Sequence, residues 1–165
     1  MDERDSQLRK TIEASICTVL VGIMKTKDFD SFLLSLNELD TAFEHQLNDC
    51  YSKENLFSSG LVYLEKLFPS KKERISEMIS NEICVKSETA RAILNLASIL
   101  VINNLKKDPP KNLLPLLESQ TENLYRFLPR GVKLILGLPN EEYTPNSSFE
   151  KESTLFGFSF FRLRK

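Results

Sequence analysis

The 165-residue sequence contains one histidine, five glycines, three cysteines and no tryptophan. A single imidazole rules out a metal site built from clustered histidines, and no Gly-rich loop is present that could cradle a phosphate. The cysteines, Cys17, Cys50 and Cys84, are isolated and odd in number. That pattern argues against a disulfide scaffold or a zinc site and predicts reduced, buried thiols. We therefore expect no metal and no cofactor.

The only candidate for nucleophilic catalysis is a short polar stretch around His45. Asp49 follows four residues later and Cys50 directly after it, so a base and a nucleophile are conceivable there. A lone histidine on a polar helix surface explains the same pattern without any chemistry. We interpret His45 in this way and expect that the protein is not an enzyme.

The charge gives no sign of a positive field that would attract nucleic acid, and the hydropathy gives no sign of a transmembrane helix. The 22 Lys and Arg residues balance 23 Asp and Glu residues, and the sequence pI is about 6.0. The apolar run 16–24 is far shorter than the roughly 20 residues of a transmembrane helix, and the N-terminal residues are acidic rather than signal-like. These features predict a cytoplasmic location, with contact at the inner face of the membrane left open for the C-terminal residues.

Apolar residues spaced three or four apart predict α-helices through residue 138, where no stretch alternates as a strand would. Ser70 and Glu73 form a capping-box sequence that predicts a helix start. Residues 90–105 are apolar around nearly the whole circumference, which predicts a central helix. The expected fold is all-α, a compact domain of about seven to eight helices. In the first predicted helix, the apolar residues that form one stripe are Leu8, Ile12, Ile16, Val19 and Ile23.

The composition changes after residue 138 and divides the chain into three parts. Residues 1–138 form the predicted helical domain, 139–154 a polar, turn-rich linker, and 155–165 an aromatic-basic C-terminal segment. In an extended chain the alternating Phe156, Phe158 and Phe160 share one face, and Phe161 lies on the other. The segment ends in a basic group consisting of Arg162, Arg164 and Lys165.

An alternating aromatic segment with a basic end suits two binding modes. It could add as a strand to the sheet edge of a protein partner, or lie on an anionic membrane surface as a peripheral contact. A third alternative is that it packs back on its own helical domain. The sequence leaves these three alternatives open.

Residues 75–96 raise a nucleic-acid alternative because two predicted helices there are joined by a short turn, as in a helix-turn-helix. Nearby basic residues could contact phosphates, but Glu73 and Glu77 offset them and the second helix continues without a polar stripe. Nucleic-acid binding is therefore the second choice. The candidate contacts are Lys71, Lys72, Arg74 and Arg91.

Several motifs together resemble a known family. The most specific is the ordered series 116–120 (LLESQ), 128–132 (LPRGV) and 136–138 (LGL), and the segments 19–23, 60–68 and 90–97 match less specific pieces. Over roughly residues 8–138 the chain resembles the bacterial domain of unknown function 937 family, whose members occur alone or ahead of OmpA-like domains in envelope proteins. The resemblance implies a stand-alone, divergent, glycine-poor member and brings no catalytic residues.

Taken together, the sequence predicts a non-catalytic interaction protein. We expect an adaptor or accessory subunit of a larger, envelope-associated bacterial assembly, with a protein partner docked through the C-terminal segment. The sequence does not determine whether the chain forms a homo-oligomer.

Overall fold

The computed structural model describes residues 4–26, 31–32, 34–35, 53–107 and 112–139, and this part of the chain is helical with no strand. The all-α prediction is confirmed. Residues 31–32 and 34–35 are helical as well, and side chains of α2 are described from Gly60 onward. The bounded helices are α1 (Asp5–Met24), α2 (Lys53–Leu67), α3 (Lys72–Ile83), α4 (Ser87–Lys107), α5 (Leu113–Ser119), α6 (Thr121–Arg126) and α7 (Arg130–Ile135).

Helix α4 is the centre of the fold, as its apolar circumference predicts. It packs against α1, α2 and α3, while α5 and α6 lie on α1 and α7 lies on α3. Its buried positions recur at helical spacing, so that one long face enters the main core. That face carries Ala90, Leu94, Ala97, Val101 and Leu105.

Helices α2 and α4 run in the same direction at close range. The Ser98 hydroxyl lies 2.7 Å from the Asn95 carbonyl of its own helix and 3.2 Å from the Gly60 carbonyl, so the two carbonyls share its proton. Further along both helices the Lys106 ammonium lies 3.2 Å from the Tyr63 hydroxyl. A Cβ added to Gly60 would lie 2.8 Å from the Asn95 carbonyl oxygen. The absence of a side chain at Gly60 is what permits this separation.

The buried face of α1 differs from the predicted stripe. Val19 and Ile23 are fully buried as expected, but Ile12 is 44% exposed. The face that packs inward instead carries small residues at spacings of four, three and four. These are Thr11, Ser15, Thr18 and Gly22.

Burial of the two threonines is possible because their hydroxyl groups are hydrogen-bonded within the helix. Thr11 donates to the Gln7 carbonyl at 2.8 Å and Thr18 to the Ala14 carbonyl at 2.7 Å. A satisfied hydroxyl leaves only a small, largely apolar surface to pack. The predicted stripe was wrong for Ile12 and did not include the threonines, because it was drawn from apolar side chains alone.

The capping box at Ser70 is also wrong. Ser70 has φ +59°, whereas an N-cap residue adopts extended backbone, and α3 begins one residue later, after Lys71. The amide of Ser70 donates instead to the Glu65 carboxylate at 3.4 Å. The side chain that was expected to begin α3 therefore lies in the left-handed turn that ends α2.

Candidate functional site

The described ranges contain no cluster of metal-binding side chains. No three His, Cys, Asp or Glu side chains converge there to hold a metal ion. His45, Asp49 and Cys50 lie outside the described residues, as do the C-terminal aromatic and basic residues from Phe156 to Lys165. For the C-terminal part of the chain, the structure therefore describes only α7 and the residues after it as far as Pro139.

The two cysteines that the structure describes lie in contrasting environments. Cys17 is buried in the core, and burial, aided by the nearby Glu13 carboxylate, raises the pKa of its thiol to about 12. Cys84 is exposed at the end of α3, so the prediction of a buried thiol is wrong for this residue. Its φ of +61° places it in a left-handed turn at the helix end, which turns its side chain away from the core.

The last described element, α7, leads directly into the predicted linker. Its C-terminal turn is closed by the Leu138 amide, which donates to the Lys133 carbonyl at 2.9 Å, and by the Gly137 amide, which donates to Leu134 at 3.1 Å. Gly137 has φ +63°, the left-handed conformation that favours glycine. Because Leu136 and Leu138 are both buried, the chain is held on the body until Pro139.

The N-terminus of α7 is capped by a side chain from another helix. The Glu82 carboxylate of α3 accepts the amides of Arg130 at 2.7 Å and Gly131 at 2.5 Å. These are two of the donors that a helix start leaves without an intrahelical partner. A negative charge here also opposes the positive end of the helix dipole.

Gly131 leaves room for this contact. A Cβ at position 131 would lie 2.5 Å from the Met78 sulfur and 2.8 Å from the Glu82 carboxylate. The Leu-Pro-Arg-Gly-Val motif thus has a physical role, since it lets α7 begin directly against α3.

Two lysines bind the opposite end of α7. The Lys25 ammonium, just after α1, donates to the Leu136 carbonyl at 2.6 Å, and the Lys71 ammonium donates to the Ile135 carbonyl at 3.4 Å. Cations at a helix C-terminus are favoured by its partial negative charge. With Glu82 at the other end, α7 is attached to α1 and α3 by charged side chains at both termini.

Of the four candidate nucleic-acid contacts, three lie together and the fourth lies on another helix. Lys71, Lys72 and Arg74 lie at the start of α3, and Arg91 lies in the second turn of α4, beyond the connection that follows the other end of α3. Lys72 forms an ion pair with Glu65 at 2.7 Å. The hydrogen bond that the Lys72 ammonium donates in this pair lowers the pKa of the Glu65 carboxyl. Helix α4, the counterpart of a recognition helix, buries nine of its 21 residues, and the residues that it exposes at its centre are the apolar Leu96 and Leu100.

Sequence reasoning missed three features of these surfaces. Glu82 and Lys25 contact α7 across 48 and 111 positions of sequence, and no local pattern reveals such distant pairs. The exposure of Leu96 and Leu100 on the central helix was also unforeseen, although their i, i+4 spacing marks one shared face.

None of the described helices is long and apolar enough to cross a membrane. Comparisons with family models, curated proteins and solved structures give no match. Membership of the bacterial domain of unknown function 937 family therefore stays a prediction from the sequence motifs.

Proposed function

We propose that this protein is a non-catalytic adaptor, an accessory subunit that docks on a larger bacterial, envelope-associated assembly through residues 155–165. The observation that carries the proposal is the alternation of Phe156, Phe158 and Phe160 in the sequence, followed by a basic end. An alternating aromatic strand fits a sheet edge with pockets for every second side chain. The envelope association derives from the family resemblance alone.

The attachment of α7 supports this assignment. An adaptor must transmit its hold on a partner to its own body, and α7 is attached at both ends by Glu82, Lys25 and Lys71 immediately before the predicted linker. The linker has 16 residues (139–154), which gives a maximal reach of about 55 Å. Within that distance of the helical domain, the C-terminal segment can bind a partner without requiring contact between the partner and the helical domain.

A matched pair of triple variants tests the proposal in the full-length chain. Phe156→Ala, Phe158→Ala and Phe160→Ala together empty one face of an extended segment. Leu155→Ala, Phe161→Ala and Leu163→Ala remove as many apolar residues from the other. In co-purification from the native cell, we expect the first triple to lose the partner and the second to retain most of it. Equal retention by both triples and by the wild type would refute docking through the segment.

A third variant separates the protein partner from a membrane surface. Replacing Arg162, Arg164 and Lys165 by glutamine removes the charges that an anionic bilayer attracts, each contributing about 1 kcal/mol near such a surface. We expect little binding of the wild type to vesicles containing anionic lipid. If the wild type binds these vesicles strongly and the glutamine variant does not, the C-terminal segment binds a membrane surface instead of a protein partner.

The nucleic-acid alternative is less well supported because Arg91 lies on a different helix from the other three basic residues and Lys72 is paired with Glu65. It predicts retention on duplex DNA at low salt that weakens when Lys71, Lys72, Arg74 and Arg91 are neutralised. We expect no such retention.

A further inference from the structure

Helix α4 carries an exposed stripe that its packing in the core leaves uncovered. The stripe runs at spacings of four, three, four, three and four residues, which is the a/d spacing of a heptad repeat. Leu96 and Leu100 at its centre are 44% and 47% exposed. Asn103 and Lys107 are exposed, and Thr89 and Ile93 are half-buried. We call these residues, Thr89, Ile93, Leu96, Leu100, Asn103 and Lys107, the α4 stripe.

The opposite face of α4 holds the stripe in position. Leu94, Val101 and Leu105 are buried in the main core, so α4 cannot rotate to bury Leu96 and Leu100 without emptying that core. A heptad spacing with apolar residues in the middle and polar residues at both ends is suited to a second helix lying along it. Within the described part of the chain, the stripe is therefore open to a second helix.

The stripe is complementary to itself in one orientation. It is symmetric about position 98, with Leu96 and Leu100 two residues to either side and Thr89 and Lys107 nine residues to either side. When the α4 of a second copy runs antiparallel to the first, Leu96 lies against Leu100 of the second copy. Ile93 then lies opposite Asn103 of the second copy. This is the isologous contact of a two-fold dimer.

Charge favours the antiparallel orientation over the parallel one. Glu88 is exposed at the start of α4, whereas Lys107 is exposed at its end, and neither forms an ion pair within the described part of the chain. In the antiparallel arrangement Glu88 lies beside Lys107 of the second copy, and the two helix dipoles oppose each other. A parallel arrangement would instead put Lys107 against Lys107.

We propose that the α4 stripe is the interface of an antiparallel homodimer. A contact centred on one helix pair buries little area, so we expect association in roughly the 10–100 µM range of Kd. If the proposed adaptor function also holds, a dimer presents two C-terminal segments and gains avidity for a repeated partner. The dimer itself does not depend on that function.

Sedimentation equilibrium of the full-length protein between about 10 and 500 µM tests the proposal, since this range brackets the expected Kd. Leu100→Glu places a carboxylate against Leu96 of the second copy and should weaken association at least about tenfold. Leu134→Glu is the matched control, because Leu134 is 65% exposed on α7, away from the stripe. A monomeric wild type at every concentration, or equal weakening by both variants, would overturn the proposal.

A charge reversal tests the orientation. Glu88→Lys and Lys107→Glu should each weaken the dimer severalfold, and the double variant should regain most of the wild-type association because it restores opposite charges. A double variant as weak as either single variant contradicts the antiparallel dimer. Far-UV circular dichroism of each variant checks that the helices are intact.

Discussion

Two helix attachments in this molecule are built in opposite ways. Helix α2 lies on α4 through Gly60, whose missing side chain brings backbone against backbone, and the Ser98 hydroxyl bonds across the buried contact. Helix α7 lies on α3 through two solvent-exposed side chains, Glu82 and Lys71. Glu82 binds the N-terminal end of α7 and Lys71 binds its C-terminal end. The first attachment depends on shape and the second on charge, so the two should respond differently to substitution.

The largest effect is expected at Gly60. Gly60→Ala forces a Cβ within 2.8 Å of the Asn95 carbonyl, and backbone atoms in a packed contact can yield only by separating the helices. Overpacking of this kind costs about 1–3 kcal/mol of unfolding free energy, and we expect about 3 kcal/mol here. Urea denaturation followed by circular dichroism measures the loss. A decrease below about 1 kcal/mol would show that α2 and α4 are less closely packed than described.

A smaller and more local effect is expected at Glu82. Glu82→Ala leaves the Arg130 and Gly131 amides without their acceptor and should cost about 1–2 kcal/mol, as the loss of a helix cap does. Hydrogen exchange should accelerate over α7 and remain unchanged over α4. Glu77→Ala, at an exposed glutamate of the same helix, is the control and should alter neither. Equal exchange at α7 in the two variants would contradict the cap.

The sequence predicts the central position of α4 but neither of the two attachments. Residues 90–105 are apolar around nearly the whole circumference, which predicts a central helix, although one face with Leu96 and Leu100 is exposed. The contact of Glu82 with Arg130 joins residues 48 positions apart and depends on the final packing of α7, so no periodicity could reveal it.

The errors near helix faces and helix ends have equally specific causes. Thr11 and Thr18 are buried because each hydroxyl bonds its own helix, which hydropathy does not register. Ser70 fits a capping sequence, yet its left-handed backbone excludes that role. The C-terminal residues assigned to partner binding lie outside the described residues, so that part of the prediction rests on the sequence alone.

Gly137 provides a milder counterpart to Gly60. A Cβ at position 137 would have nothing within 4 Å, so the only cost of Gly137→Ala is the left-handed backbone at φ +63°. That cost is about 1 kcal/mol. Thermal unfolding of both glycine variants should therefore rank Gly60→Ala well below Gly137→Ala in midpoint. The reverse order would mean that conformation, rather than space, limits the substitution at both positions.

The two described thiols give a separate test of burial. At pH 8 an alkylating reagent should modify exposed Cys84 and spare Cys17, whose thiol has a pKa of about 12 in the core. Because the unfolded thiol has a pKa near 9, Cys17 lowers the stability of the folded state as pH rises from about 9 to 12. Cys17→Ala should therefore reduce the alkaline loss of stability. Peptide mapping and denaturation at two pH values measure these effects, and rapid labelling of Cys17 would contradict its burial.

The most direct test of the adaptor proposal is co-purification from the native cell with full-length protein and with residues 1–138, scoring soluble and membrane fractions separately. The proposal predicts that a partner is recovered only with the full-length chain, while the truncated chain keeps its helical circular dichroism and unfolding midpoint. Recovery of the same partner with both chains would contradict the proposal and assign binding to the helical surface instead.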